Sequence, residues 1–241
     1  MKTFGLIGYP LTHSFSPSYF AQKFEQEGII DAEYLSFELE NIETFKTLLS
    51  KTKIDGLNVT IPYKEEIIPF LDHLDETAAA VGAVNTIGFE SEKCIGYNTD
   101  VIGFQESIKS LLSGIHKKAY ILGTGGAAKA VKYALLSMGL EVQFVSRTAS
   151  SNAIAYESLK IKSGDVIVNT TPLGMYPKID TCPAIDYDQL DASNILFDLV
   201  YNPHKTLFLD KGAAQGALTK NGLEMLYFQA EAAWKIWNKE A

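Results

Sequence analysis

The stretch Ala119-Tyr120-Ile121-Leu122-Gly123-Thr124-Gly125-Gly126-Ala127-Ala128 constrains this chain more than any other: an apolar run meets a glycine-rich turn and then a helix-forming segment. The pattern predicts a strand, a tight turn and a helix whose free N–H groups and positive dipole end make a seat for phosphate. Each small residue has its own reason. Gly123 permits the tight exit from the strand, Gly125 lets backbone approach a pyrophosphate, and Ala128 lets the helix pack close to a sheet. Glycine clusters also mark ordinary turns, so the rest of the chain decides between a nucleotide seat and a plain loop.

Strand and helix patterns alternate on both sides of that turn. Ahead of it, strands are predicted at residues 3–8, 33–39 and 56–61, the last stopped by Pro62. Helices are predicted at 17–27, opened by Pro17 with Ser16 as N-cap, at 42–50 and at 76–81, and residues 84–89 and 94–97 read as an antiparallel pair. A helix over 101–112 leads to the glycine turn. Beyond it come a helix at 126–138 ended by Gly139, strands at 141–145, 165–169 and 195–200, and an amphipathic helix from Leu223 to Trp237. The expectation is two α/β domains around a cleft. Residues 1–101, completed by the C-terminal helix 223–241, form a substrate-binding domain with a mostly parallel sheet, and residues 102–222 form a Rossmann-like domain.

Composition narrows the function classes. The chain has 241 residues, 46% of them hydrophobic, enough for a sizeable core, and a net charge of −8 with no polybasic run, which argues against nucleic acid as a partner. No apolar run is long enough to span a membrane, and the N-terminus lacks the apolar core of a signal peptide, so a cytoplasmic protein is expected. The two cysteines, Cys94 and Cys182, and the four histidines, His13, His73, His116 and His204, share no ligand spacing, so no metal is expected.

Polar clusters fall where strands end: His13-Ser14-Phe15-Ser16, Asn58-Val59-Thr60, Lys64, Asn85-Thr86 and Asn98-Thr99-Asp100. Open α/β sheets bind ligands beyond the carboxyl ends of their strands. Taken singly, each residue has an ordinary reading: Ser16 and Asp100 as helix caps, Asn58 bonded to neighbouring backbone, Lys64 a solvated cation. Taken together, hydroxyls, amides, a lysine and an aspartate suit a polyhydroxylated acid.

These residues carry a family resemblance. Ser14-Phe15-Ser16-Pro17, Asn58-Val59-Thr60-Ile61-Pro62-Tyr63-Lys64, Gly82-Ala83-Val84-Asn85-Thr86, Gly96-Tyr97-Asn98-Thr99-Asp100, the Gly123 turn, Asn169-Thr170-Thr171-Pro172-Leu173-Gly174-Met175, Asp198-Leu199-Val200-Tyr201 and Asn221-Gly222 through Gln229-Ala230 resemble the shikimate dehydrogenase family nearly end to end. The resemblance implies reversible, NADP-dependent reduction of 3-dehydroshikimate to shikimate, in the shikimate pathway of aromatic amino acid (chorismate) biosynthesis, by a monomer or homodimer. It implies that Ser14, Ser16, Thr60, Asn85 and Gln229 hold the substrate, with Asn58 and Tyr201 close by, and that Lys64 and Asp100 form the proton-transfer pair. A ketone that receives hydride becomes an alkoxide, so a proton donor must stand within hydrogen-bond reach of its oxygen; Lys64 can fill that role, oriented by Asp100.

The residues after the glycine turn bear on the cofactor. NAD sites usually carry an acidic residue about 20 positions past the first glycine. Here Ser146-Arg147-Thr148 stands there instead, a guanidinium and two hydroxyls suited to a 2′-phosphate, which points to NADP. Gly123, Thr124, Gly125, Gly126 and Ala127 would hold the pyrophosphate, and Thr170, Leu199 and Gly222 would lie near the nicotinamide by resemblance. Family members often carry a second basic residue a few positions after the first, where this chain has Ala149-Ser150-Ser151. The segment 149–163 is also shorter than the family's usual helix and strand, so one edge of this domain is expected to be trimmed. A quinate/shikimate dehydrogenase, which shares the lysine–aspartate pair and often uses NAD, is the alternative enzyme. A non-catalytic metabolite-sensing module is the alternative outside catalysis.

Overall fold

The computed structural model describes residues 1–12, 14–91 and 93–239. His13 lies outside them. The chain divides into two units, Met1–Thr99 with Ala230–Ala241, and Asp100–Gln229.

In the first unit, β1 (Lys2–Gly8), α1 (Phe15–Glu27), β2 (Ala32–Glu38), α2 (Phe45–Lys51), β3 (Gly56–Val59), β4 (His73–Leu74), α3 (Glu76–Val81), β5 (Thr86–Glu90) and β6 (Lys93–Tyr97) build a six-stranded sheet of order β2-β1-β3-β5-β6-β4. β1 pairs parallel with β2 and β3, whereas β5 runs antiparallel to both β3 and β6. The carboxyl ends of β1, β3 and β6 and the start of β5 therefore meet at one end of the sheet. One side is filled by Phe4, Phe20, Phe24, Ala230, Ala233 and Trp237, with Trp234 packed against them. Gly56 is required there: a Cβ on it would stand 2.4 Å from the Trp237 ring, which stacks on Phe4 at 4.9 Å and donates from Nε1 to the Ile87 carbonyl.

Two local expectations are corrected. α1 begins at Phe15, with Ser14 in the extended N-cap conformation, so Ser16 is not the cap but a buried residue of the first turn. Pro17 is tolerated one turn in because the first N–H groups of a helix have no intrahelical partner. β3 ends at Val59, before Thr60: the Thr60 N–H still reaches the Ile7 carbonyl at 2.9 Å, but its own carbonyl accepts from Tyr63 N–H at 3.0 Å, and the chain turns there.

The second unit holds α4 (Thr99–Ile108, all but its first residue), β7 (Lys118–Leu122), α5 (Gly126–Ser137), β8 (Glu141–Ser146), β9 (Ala153–Ala155), β10 (Val166–Asn169), β11 (Ile195–Asp198), α6 (Leu207–Ala214), β12 (Leu218–Asn221) and the first part of α7 (Leu223–Asn238). Its six strands are all parallel, in the order β12-β11-β10-β7-β8-β9. Numbered from β7, that is the 3-2-1-4-5-6 order of the doubly wound dinucleotide-binding fold, with its switch point between β7 and β10. The central strands β7, β10 and β11 are buried on both faces, as the apolar runs at 119–122, 166–168 and 195–197 require. α4 starts before residue 101, so Asp100 sits inside its first turn rather than capping it.

β9, α6 and β12 carry no strong pattern of their own and are additions to the sequence reading. β8 and β9 are joined by residues 147–152 alone, with no helix between them. Parallel strands normally need a longer crossover. The short one suffices because β9 pairs only with the last residues of β8, Phe144↔Ala153 through Ser146↔Ala155, so the chain has little distance to return.

Candidate active site

In the first unit, the sequence-predicted polar residues gather at the sheet end defined above, and Ser16, Asn58, Asn85, Thr86 and Thr99 are joined through Tyr34 by a continuous set of hydrogen bonds. Ser16 bonds to the Tyr34 hydroxyl, and that hydroxyl donates to Asn58 Oδ1 at 2.7 Å. Asn58 Nδ2 lies 3.3 Å from both the Asn85 carbonyl and Thr86 Oγ1. Asn85 Oδ1 accepts from the Thr99 N–H at 2.7 Å, and its Nδ2 donates to Thr99 Oγ1 at 2.9 Å. Asn98 Nδ2 donates to the Ala83 carbonyl at 2.8 Å. Asn58, Asn85, Asn98 and Thr99 are all buried, which is affordable because their polar atoms are paired. Burial also pushes the Tyr34 phenol far up, so it serves as a fixed neutral donor.

This network does both jobs that the sequence left open for Asn58: it bonds to neighbouring backbone, and it stands among the other polar residues. Thr60 lies at the same end, where Gly8 makes room for it: a Cβ on Gly8 would stand 2.5 Å from the Thr60 methyl. Lys64 is half-buried, and its backbone is tied on both sides. Buried Tyr63 donates to the Leu39 carbonyl at 2.5 Å, and the Val84 N–H donates to the Lys64 carbonyl at 2.7 Å, one residue before Asn85. Ser14 is half-buried and its side chain does not cap α1. The loop before it is held by Glu38, whose Oε1 accepts from the Leu11 N–H at 2.7 Å.

In the second unit, Asp100 is buried in the first turn of α4, directly after Thr99. Gln229 is buried on α7, its Nε2 donating to the Leu226 carbonyl at 3.0 Å. Gly103 lets these two helices touch, since a Cβ there would stand 2.5 Å from the Met225 carbonyl oxygen and 3.0 Å from Gln229 Cβ.

The glycine turn lies at the switch point. Gly123 adopts φ +115°, and a Cβ on it would meet Thr170 Oγ1 at 2.6 Å; that hydroxyl donates to the Leu122 carbonyl at 2.8 Å. The turns after β7 and β10 are thereby stitched together. Gly125 caps α5 without a side chain, a Cβ on it would meet open space, and the first turn of α5 has no acidic residue. Bare N–H groups at the end of a helix with no competing carboxylate fit a pyrophosphate. Thr124 is exposed, Gly126 and Ala127 are half-buried, and buried Ala128 packs on the sheet.

Ser146 is the last residue of β8, and its hydroxyl donates to the Thr148 carbonyl, which folds the turn that presents Arg147 and Thr148 to solvent. Arg147 stands close enough to favour ionisation of the Tyr156 phenol, although burial raises that phenol overall. On the other side of the switch point, the Leu199 N–H donates to the Asn169 carbonyl at 2.9 Å. Gly222 can approach Leu199 because it lacks a Cβ, which would stand 2.3 Å from the Leu199 carbonyl oxygen. Tyr201 is half-buried, its phenol pushed up by burial.

Sequence reasoning assigned no role to Tyr34, Thr99 or the buried Asp198. Tyr34 carried no signal, since a tyrosine in a strand reads as ordinary β propensity. Among the described residues no three His, Cys, Asp or Glu side chains gather as a metal-binding group, and no helix is long and apolar enough to cross a membrane.

Fold and local geometry together describe a two-unit α/β protein with a glycine turn at the switch point of a doubly wound parallel sheet in one unit and a buried polar network at a strand end in the other. Comparison with known proteins makes that class specific. Residues 6–87 match the family model of the shikimate dehydrogenase substrate binding domain. The NADP(+) shikimate dehydrogenase of Clostridium beijerinckii is 40% identical over 256 residues, covering 99% of this chain and 93% of its own. A shikimate dehydrogenase crystallised with NADP+ superposes with a TM-score of 0.89 at 35% identity, over 99% of this chain and 90% of that one. The quinate dehydrogenase of Corynebacterium glutamicum, solved with NAD, gives 0.88 at 26% identity, over 99% and 94%. The chain belongs to the shikimate dehydrogenase family.

Proposed function

We propose that this chain is an NADP-dependent shikimate dehydrogenase, an oxidoreductase that interconverts 3-dehydroshikimate and shikimate in the shikimate pathway. The observation that carries the reading is the pairing, within one chain alike to NADP-dependent shikimate dehydrogenases along its whole length, of a glycine-turn seat with an exposed Arg147 where NAD sites place an acid. The substrate-binding domain is residues 1–101 with the C-terminal helix 223–241, and the cofactor domain is 102–222.

The cofactor supplies the hydride. Ser14, Ser16, Asn58, Thr60, Asn85, Tyr201 and Gln229 bind and orient the substrate carboxylate and hydroxyls, and the side-chain network of the first unit keeps those groups from adapting to other shapes. Lys64 gives a proton to the oxygen that becomes the alcohol, and Asp100 orients the lysine and holds a neighbouring hydroxyl. Gly123, Thr124, Gly125, Gly126 and Ala127 seat the pyrophosphate, Ser146, Arg147 and Thr148 receive the 2′-phosphate, and Thr170, Leu199 and Gly222 border the nicotinamide. The enzyme works in the cytoplasm as a monomer or homodimer, without nucleic acid or membrane.

The deciding experiment follows NADPH absorbance on addition of 3-dehydroshikimate and repeats it with NADH. Oxidation of NADPH at a rate well above that of NADH is expected; no oxidation with either overturns the reading. A second reading, a quinate/shikimate dehydrogenase using NAD, is favoured by the bare 147–152 connection, which brings a single arginine, and by the likeness to quinate dehydrogenase. Equal rates with quinate and NAD would select it.

A further inference from the structure

Asp198, the last residue of β11, is fully buried, and burial pushes its carboxyl up to about 6, so it is mostly ionised at neutral pH. Three neutral donors hold it. Asn169 Nδ2 at 2.9 Å and the Val200 N–H at 3.0 Å reach Oδ1, and the Thr206 hydroxyl at 2.6 Å reaches Oδ2. Each donor belongs to a different segment. Asn169 shapes the turn after β10, its Oδ1 accepting from the Thr171 N–H at 3.0 Å and the Thr171 hydroxyl at 2.6 Å and its Nδ2 approaching the Leu173 carbonyl at 3.3 Å. Val200 lies in the turn after β11, its carbonyl 3.4 Å from the Gly222 N–H. Thr206 caps α6 by accepting from the Leu209 N–H.

A buried charge is costly, and a neutral or apolar side chain would be the cheaper occupant if only packing mattered. A carboxylate can do what an amide cannot, which is to accept on both oxygens from donors on three segments at once. We propose that Asp198 is a positioning residue for hydride transfer, holding the turns 169–173 and 199–201 in register so that Thr170 and Leu199 present a fixed wall to the nicotinamide half of the cofactor and Tyr201 keeps its place beside the substrate. The inference rests on the reading of those turns given above. Asp198 touches neither substrate nor cofactor in this scheme; it acts through Asn169, Val200 and Thr206.

The test uses the full chain and two probes: NADP+, which occupies the whole seat, and 2′,5′-ADP, which carries only the adenosine half and relies on the residues around Arg147. Asp198→Asn keeps the size but turns an amide donor toward donors. It should lower kcat and weaken NADP+ by roughly tenfold or more, while 2′,5′-ADP affinity stays within about twofold. Thr206→Val should give a smaller loss in the same direction, about threefold or more, and Thr206→Ser should restore it; this pair reads the same property should Asp198→Asn fail to fold. Equal weakening of NADP+ and 2′,5′-ADP would mean that Asp198 only supports the fold, and values within twofold of the unsubstituted chain would mean that it positions nothing; either overturns the proposal. If the unsubstituted chain itself fails to oxidise NADPH with 3-dehydroshikimate, it is the functional reading that falls, and the split between the two probes still tests Asp198.

Discussion

The two units build their site walls from opposite materials. In the first, the wall is made of side chains that hold other side chains: Ser16, Tyr34, Asn58, Thr86, Asn85 and Thr99 are linked in sequence, with the phenol end of half-buried Tyr34 enclosed among the buried others. In the second, the proposed seat is made by leaving side chains out: Gly123 at a positive φ, Gly125 opening a helix, and Gly222 against the Leu199 carbonyl. The difference follows from what each would hold. A small polyhydroxylated acid is told from its neighbours by hydroxyl positions, which only fixed partners can match, because mismatched polar groups are left unpaired. A pyrophosphate needs N–H groups and room, which backbone supplies.

Five substitutions test that contrast. Lys64→Ala should lower kcat by about 10²- to 10⁴-fold while the KM for shikimate moves only a few-fold, as steady-state kinetics would reveal; near-normal kcat would remove the lysine from the chemistry.

The next effect separates the units by pH. Asp198 has its carboxyl raised by burial from 3.8 to about 6 in the fold, so folding favours its protonated form. Its contribution to stability is full below about pH 4 and lost as pH rises to about 6, a change of up to about 3 kcal/mol. Asp198→Asn cannot titrate, so it should gain on the unsubstituted chain between pH 4 and 7 in urea unfolding. Asn85→Ala, which disrupts a neutral network in the first unit, should lose about 1–3 kcal/mol by the same amount at both pH values.

Smaller again is the effect of Gly123→Ala, which forces a Cβ into a left-handed conformation and toward Thr170. A loss of about 1–3 kcal/mol is expected in thermal or urea unfolding, together with weaker NADP+ binding. Arg147→Ala should raise the KM for NADPH about tenfold and leave that for NADH unchanged, since one exposed guanidinium is the charged partner proposed for the 2′-phosphate. Equal effects on both cofactors would take Arg147 out of the discrimination.

Much of the second unit was legible because its determinants are local. The glycine turn, the apolar strand at 119–122 and the helix stopped by Gly139 are each written in a few consecutive residues, and α5 ends as that glycine predicts, with Gly139 at φ +85°. The edge at 147–155 was legible only as a shortened segment. That it keeps a parallel strand without a helix depends on its pairing with three residues of β8, which no local pattern encodes. In the first unit the candidate residues were legible by type, but the cap of α1 was misplaced, as was that of α4 where the second unit begins. Ser16 and Asp100 both have capping chemistry, yet each lies inside a first turn because the neighbouring chain, Ser14 and Thr99, starts the helix earlier.

What the sequence determined by itself was the alternation of strands and helices, the glycine turn between β7 and α5 and the inventory of polar groups at strand ends, because periodicity, glycine and proline act over a few residues. What only the tertiary structure decided was which of those groups hold one another. Tyr34 reaches Asn58 across 24 positions, Asn169 reaches Asp198 across 29, and Trp237 reaches Ile87 across 150 to lie over Gly56. Such partners are chosen by strand order and helix packing, and a hydrogen bond between distant residues leaves no periodic trace in the chain that makes it.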